Sequence, residues 1–98
     1  MALSTVPVVH RIDATVYDGT NGAEIAEWLE DAELVSDDGT ELVIRTSGWP
    51  EPVERRIPAG WHVLRHWCGI YKESLEPAQF AGIWREAPEL AAAPDPSA

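Results

Sequence analysis

At 98 residues the chain has the length of one domain, which argues against an enzyme built from two lobes around a cleft. Seven Lys and Arg stand against seventeen Asp and Glu, and the net charge of −10 opposes binding to nucleic-acid phosphates or to an anionic membrane surface and favours a basic partner, or none. With 45% hydrophobic and 24% charged residues, the composition is that of a folded, soluble domain rather than a disordered segment.

Val8 to Val16 shows the alternation of a half-buried strand. Val8, His10, Ile12, Ala14 and Val16 share one face, and Arg11, Asp13 and Thr15 share the other. Asp18-Gly19-Thr20 is a turn, and Asn21 followed three places on by Glu24 reads as a capping box opening a helix over Asn21 to Asp31. Ile25, Trp28, Leu29 and Ala32 form its apolar stripe, while Glu24, Glu27, Glu30, Asp31 and Glu33 occupy the rest. Carboxylates near the last turn oppose the helix dipole, so they serve solubility or a basic partner rather than the helix itself. Leu34 to Ser36 and Glu41 to Thr46 flank the hairpin turn Asp37-Asp38-Gly39-Thr40, with Leu42 and Ile44 inward and Arg45 outward. Ser47 to Pro52 is a loop, because its prolines lack ladder donors, and Trp49 sits at its tip. Val53 to Ile57, Trp61 to Trp67 and Ile70 to Ser74 are three more short strands, separated by Pro58-Ala59-Gly60 and Cys68-Gly69. Pro77 begins a short helix with Phe80, Ile83 and Trp84 on one side, and Pro88 stops it.

These elements predict an α+β fold: a single antiparallel sheet of about five or six short strands, packed by the first helix and the short C-terminal one. Residues 1–87 form that single domain. The Ala/Pro-rich stretch 88–98 has too little apolar area to offset its ordering entropy and is expected to be flexible. The lone Cys68 cannot form an internal disulfide, which points to the cytoplasm, and no apolar run approaches the ~20 residues of a membrane-spanning helix.

His62, His66 and Cys68 raise the question of a metal. On a strand the two histidines stand about 13 Å apart, too far for one ion, so no metal is expected. Cys68 precedes a glycine turn, and a free cysteine is commonly a small buried apolar residue. No catalytic set and no cofactor motif is identified: Gly-x-Ser-x-Gly, a phosphate loop and a dinucleotide fingerprint are all missing.

Charge distribution says more. Between Leu42 and Lys72 five basic residues, Arg45, Arg55, Arg56, Arg65 and Lys72, stand against Glu51 and Glu54, a local +3 that leaves −13 for the rest. Arg55 shares its strand face with Val53 and Ile57, and Arg65 shares its own with Val63 and Trp67. A guanidinium on such a face must meet a carboxylate, a backbone acceptor or an anionic ligand, because an unpaired buried charge is costly. Arg45, Arg55 and Arg65, interleaved with Trp49, Trp61 and Trp67, are therefore the candidate binding residues, for a small anionic ligand or as anchors of a protein interface. The alternative is internal pairing with Glu41, Glu54 or Glu73 and tryptophans in the core.

The succession of "YDGTNGAEIAEWL" (Tyr17 to Leu29), "DGTELVIRT" (Asp38 to Thr46), "IPAGWHVLR" (Ile57 to Arg65) and "PAQFAGIW" (Pro77 to Trp84) resembles a family of small phage and prophage proteins. Members typically carry a Trp-Thr-Gly-x-Asn segment before the helix, a Pro-Gly-Asp-Trp turn into a strand and a closing Gly-x-Phe…Phe-x-x-x-Tyr. The resemblance spans about residues 10 to 86, with Pro58-Ala59-Gly60-Trp61 standing for the turn and Trp84 for the closing Tyr. It implies phage origin and a host bacterial cytoplasm, and no particular activity. The expectation is a non-enzymatic phage accessory binding protein acting on a host protein, for instance as a host-defence antagonist, or on a small anionic signal. The alternatives are a virion or assembly component that self-associates into a homo-oligomer, and a small enzyme.

A chain ending at Ala87 should melt within ~5 °C of the full chain, a margin on the order of 1 kcal/mol for a domain of this size. A larger drop in thermal melts would show that residues 88–98 dock.

Overall fold

The structure, a computed structural model, describes residues 3–6 and 11–87. In chain order these build β1 (Ile12–Val16), α1 (Gly22–Trp28), β2 (Glu33–Asp37), β3 (Glu41–Thr46), β4 (Val53–Pro58), β5 (His62–His66), β6 (Tyr71–Leu75) and α2 (Pro77–Ile83). The strands divide into two three-stranded antiparallel sheets, β1-β5-β6 and β2-β3-β4. The fold is thus mostly β with two small helices, which corrects the expectation of an α+β fold with a single sheet of five or six strands. The part of the first expected strand before residue 11, and the stretch 88–98, lie outside the described residues.

The division is made at the turn after β4. Pro58 has no N–H to offer, and the Ala59 and Gly60 amides bond to distant chain while that of Trp61 closes the turn. Ala59 N donates to Thr40 O (2.8 Å), Gly60 N to Tyr17 O (2.7 Å) and Trp61 N to Pro58 O (3.2 Å). The chain leaves the second sheet there, and β5 pairs with β1 instead, from Ile12 opposite His66 to Val16 opposite His62. Two strands also carry one extra residue each, Val35 in β2 and Lys72 in β6, where the register slips and the ladder bulges.

Both sheets and α1 feed one core. Leu42, Ile44 and Ile57 come from β3 and β4, Val63 from β5, Ile25, Ala26 and Leu29 from α1 and its end, and Tyr17 from the turn after β1. Trp28 and Ala32 lie partly buried against this cluster, completing the expected stripe. The helix is shorter than its periodicity suggests, because Leu29 is already extended (ψ 128°). Asn21 does not cap it with its side chain. Its Nδ2 donates to Val16 O (2.9 Å) and its Oδ1 accepts from Asp18 N (3.0 Å), so Asn21 braces the preceding turn. The first helical residue must be small: a Cβ on Gly22 would run into the Asp37 carboxylate and lie 2.9 Å from Leu42 Cδ1.

Tyr17 ties the two sheets at one end. Its side chain is fully buried, its phenol donates a hydrogen bond to Asp37 at the end of β2, and its amide donates to Trp61 O (3.0 Å). Burial, reinforced by the Asp37 carboxylate, pushes the phenol up to about 12. Two matching turns sit beside it. In Asp18-Gly19-Thr20 and Asp38-Gly39-Thr40 the threonine amide and hydroxyl both donate to the aspartate two residues back. Those donors hold both carboxyls below their ordinary range, led by the Thr20 hydroxyl for Asp18 and by the Thr40 amide for Asp38. The turns touch: Gly19 has φ +91°, and a Cβ there would fall 2.5 Å from Gly39 O.

Asp31 makes the opposite tie. Its carboxylate accepts from Ser47 Oγ (2.7 Å), just past β3, and from Tyr71 N (3.0 Å), the first residue of β6. On the outer side of the first sheet, α2 brings Phe80 flat against His62, with ring centres 3.9 Å apart. Ile83, expected on the packed side of α2, is 66% exposed, because only the Phe80 and Trp84 positions turn inward.

A phenol that titrates at about 12 when folded and at 10.0 when exposed contributes stability that is complete below pH 10 and is lost as pH rises through 12. Tyr17→Phe should cost about 1.5–3 kcal/mol at pH 8, the value of a hydrogen bond to a charged group. Urea melts from pH 8 to 12 should then show a shallower alkaline loss in the variant than in the wild type.

Candidate functional site

Arg65 lies on the core-facing side of β5, as its parity with Val63 suggests, and it is committed internally. Its guanidinium stacks 4.2 Å above the Trp28 ring, Nη1 donates to Trp28 O (2.7 Å), and Nη2 stands 3.7 Å from Asp13 Oδ2. Trp28 is the last residue of α1, whose final carbonyls have no partners within the helix. Arg65 therefore caps the helix from another strand, placing a cation at its negative end although α1 carries no basic residue in its own last turn.

Arg55 also faces inward, beside Ile57. Its Nε donates to the buried Thr46 hydroxyl (3.1 Å), and its guanidinium lies 5.0 Å from the Tyr71 ring centre, so it spans from β4 to β6. Arg45 is on the solvent side, 3.6 Å from Glu33, in an exposed pair of little energetic weight. The carboxylates expected for internal pairing are used differently: Glu41 meets Arg56 (3.1 Å) and Glu73 meets Lys72 (3.1 Å).

The tryptophans do not gather. Trp49 is 93% exposed in the β3–β4 loop, Trp61 leans on the core before β5, and Trp67 is half-exposed beyond its other end. Cys68 is exposed, which corrects the expectation of a small buried thiol; the Cys68-Gly69 turn carries it outward at the end of β5. Among the described residues no three His, Cys, Asp or Glu are placed to hold a metal ion, and no helix is long and apolar enough to cross a membrane.

A groove of about 460 Å³ runs between β1 and α1, lined chiefly by Asp13, Thr15, Glu24, Ile25, Trp28 and Arg65. Its volume falls in the range of small-ligand sites. Of the six candidate residues only Arg65 reaches it. Asp13 is held between Arg11 Nε (3.1 Å) and Arg65 Nη2 (3.7 Å), so both cations face a carboxylate, although the buried Arg65 Nε makes no hydrogen bond. Glu24 is exposed and makes no ion pair among the described residues. The groove therefore offers an aromatic and aliphatic floor, one uncompensated carboxylate and no free cation among its lining residues. Asp13, Glu24 and Trp28 escaped sequence reasoning as site residues, because only the pairing of β1 with β5 sets Asp13 opposite Arg65.

No protein-family model, no curated protein and no solved structure matches the chain.

Internal commitment of the arginines sets the sign of their substitution. Arg65→Ala should cost about 2–4 kcal/mol, from a charge-assisted hydrogen bond and a stacked cation, and Arg55→Ala about 1–2 kcal/mol. Arg45→Ala should stay within ~0.5 kcal/mol of wild type. Denaturant melts check the order; unchanged or raised stability in the first two would mean that they repel one another around an anion site.

Proposed function

We propose that the chain is a non-enzymatic accessory binding protein, of the phage or prophage kind its sequence resembles, and that it acts in the host cytoplasm on a protein rather than on a small anionic signal. Phage origin and setting rest on the resemblance alone. The observation that carries the choice of target is the groove between β1 and α1, where the one lining cation is spent on Trp28 and Asp13 while Glu24 stands unpaired. An anion entering it would meet Glu24 and would have to displace Asp13 from Arg65. A cationic group would find a carboxylate and an aromatic wall. The net charge of −10 adds a long-range attraction for basic partners in the same direction.

Amide chemical shifts of the labelled full chain provide the test. Titration with a panel of nucleotides and cyclic nucleotides should give no saturable shifts at Arg55, Arg65 or Trp61. Oligolysine should move the Glu24 to Trp28 amides, with an effect that fades between low and high salt. A nucleotide that saturates at the arginines would overturn the reading in favour of a small-anion receptor.

A further inference from the structure

The groove is bordered by a strand with an open side. In the sheet order β1-β5-β6, β1 has a hydrogen-bonded neighbour on one flank only among the described residues. The parity of its backbone is set by Tyr17, whose N–H donates to Trp61 O and whose C=O accepts from Gly60, both toward β5. In an extended strand the peptide groups alternate sides, so Thr15 and Asp13 also point toward β5, and Ile12, Ala14 and Val16 point away. Val16 confirms the alternation: its carbonyl accepts from Asn21 Nδ2 (2.9 Å) outside the ladder. The N–H and C=O groups of Ile12 and Ala14 are left facing the open flank. Edge strands in native proteins are normally blunted by Lys, Pro or a cover. β1 has no Lys or Pro; Arg11 precedes it, and the charged side chain it does carry, Asp13, faces the groove.

We propose that the open edge of β1 takes up an extended, basic segment of a partner protein as an added antiparallel strand, with its Lys or Arg side chains in the groove against Glu24 and Trp28. The inference rests on the protein-directed reading above and names the recognition mode. Alternate residues of an added strand share the face of the residues they oppose. Those opposite Ile12 and Ala14 lie on the outer, apolar side, and those opposite Asp13 and Thr15 enter the groove. The matching segment therefore alternates aliphatic and basic residues. Charge decides against a second copy of this chain, since each copy carries −10 and would bring the unpaired Glu24 of the groove toward its twin.

The probe is the peptide acetyl-Gly-Lys-Val-Lys-Val-Lys-Gly-amide, added to the labelled full chain. It should shift Ile12, Ala14, Glu24 and Trp28 saturably and slow hydrogen exchange at the Ile12 and Ala14 amides. Methylating the two valine nitrogens, which leaves the protein untouched, should weaken binding by about tenfold or more, as should Ala14→Pro, which removes an outward N–H from β1. Glu24→Gln should weaken it about threefold and flatten its salt dependence. Equal binding of the methylated peptide would overturn strand addition while leaving the protein-directed reading in place. No binding of either peptide would overturn the inference as well. A nucleotide saturating at Arg55 and Arg65 would overturn both readings, and a free protein that sediments as a dimer with Ile12 and Ala14 already protected would assign the edge to a second copy.

Discussion

Two three-stranded sheets that share no ladder must be held together by something other than backbone pairing, and everything else in this fold depends on how that is done. Apolar burial presses them together without fixing how they sit, because it is non-directional. Direction comes from two acidic side chains that accept across the gap. Asp37 takes the phenol of Tyr17 at one end, and Asp31 takes Ser47 and the Tyr71 amide at the other. Each joins a residue of the β2–β3 region to the chain around β1 or β6. With both ends pinned, the core between them has one packing, and α1 can be as short as seven residues without coming loose.

Arg65 belongs to the same economy of few, directional contacts. One side chain closes the end of α1, covers a face of Trp28 and balances Asp13 on the neighbouring strand. Because its two partner residues, Trp28 and Asp13, lie on α1 and β1, the guanidinium locates β5, β1 and α1 relative to one another. The groove is the space left over by that arrangement. Its acidic character follows directly, since the cation that frames it has its charge turned inward and Glu24 has not.

Much of the secondary structure was legible in the sequence, and the reasons are local. The Glu41 to Thr46 strand, with Leu42 and Ile44 buried, follows from alternation bounded by an Asp-Gly turn, and α2 follows from Pro77 and the Phe80 and Trp84 spacing. The split into two sheets was not legible, because it turns on Ala59 and Gly60 bonding to Thr40 and Tyr17, residues about 20 and 40 positions away. Arg55 and Arg65 were correctly singled out as cations on inward faces. A carboxylate or a backbone acceptor was expected for them, but the particular partners, Thr46 and Tyr71 for Arg55 and Trp28 and Asp13 for Arg65, are set by strand pairing and not by the nearby glutamates named from sequence. The candidate groove stayed hidden for the same reason as the sheets: it lies between elements that only the β1–β5 pairing brings together.

The two Asp-Gly-Thr turns have a consequence for how this protein can change. Gly19 approaches Gly39 so closely that a side chain in the first turn would strike the Gly39 carbonyl at 2.5 Å, whereas one on Gly39 would only touch Gly19 O at 3.7 Å. The two turns are therefore not independent variables. A lineage that built out the Gly19 turn would have to reshape the Gly39 turn in the same step, whereas the exposed Trp49 loop can drift alone. Diversity should accumulate at that loop and leave the paired turns as the slow-changing signature by which distant kin are recognised.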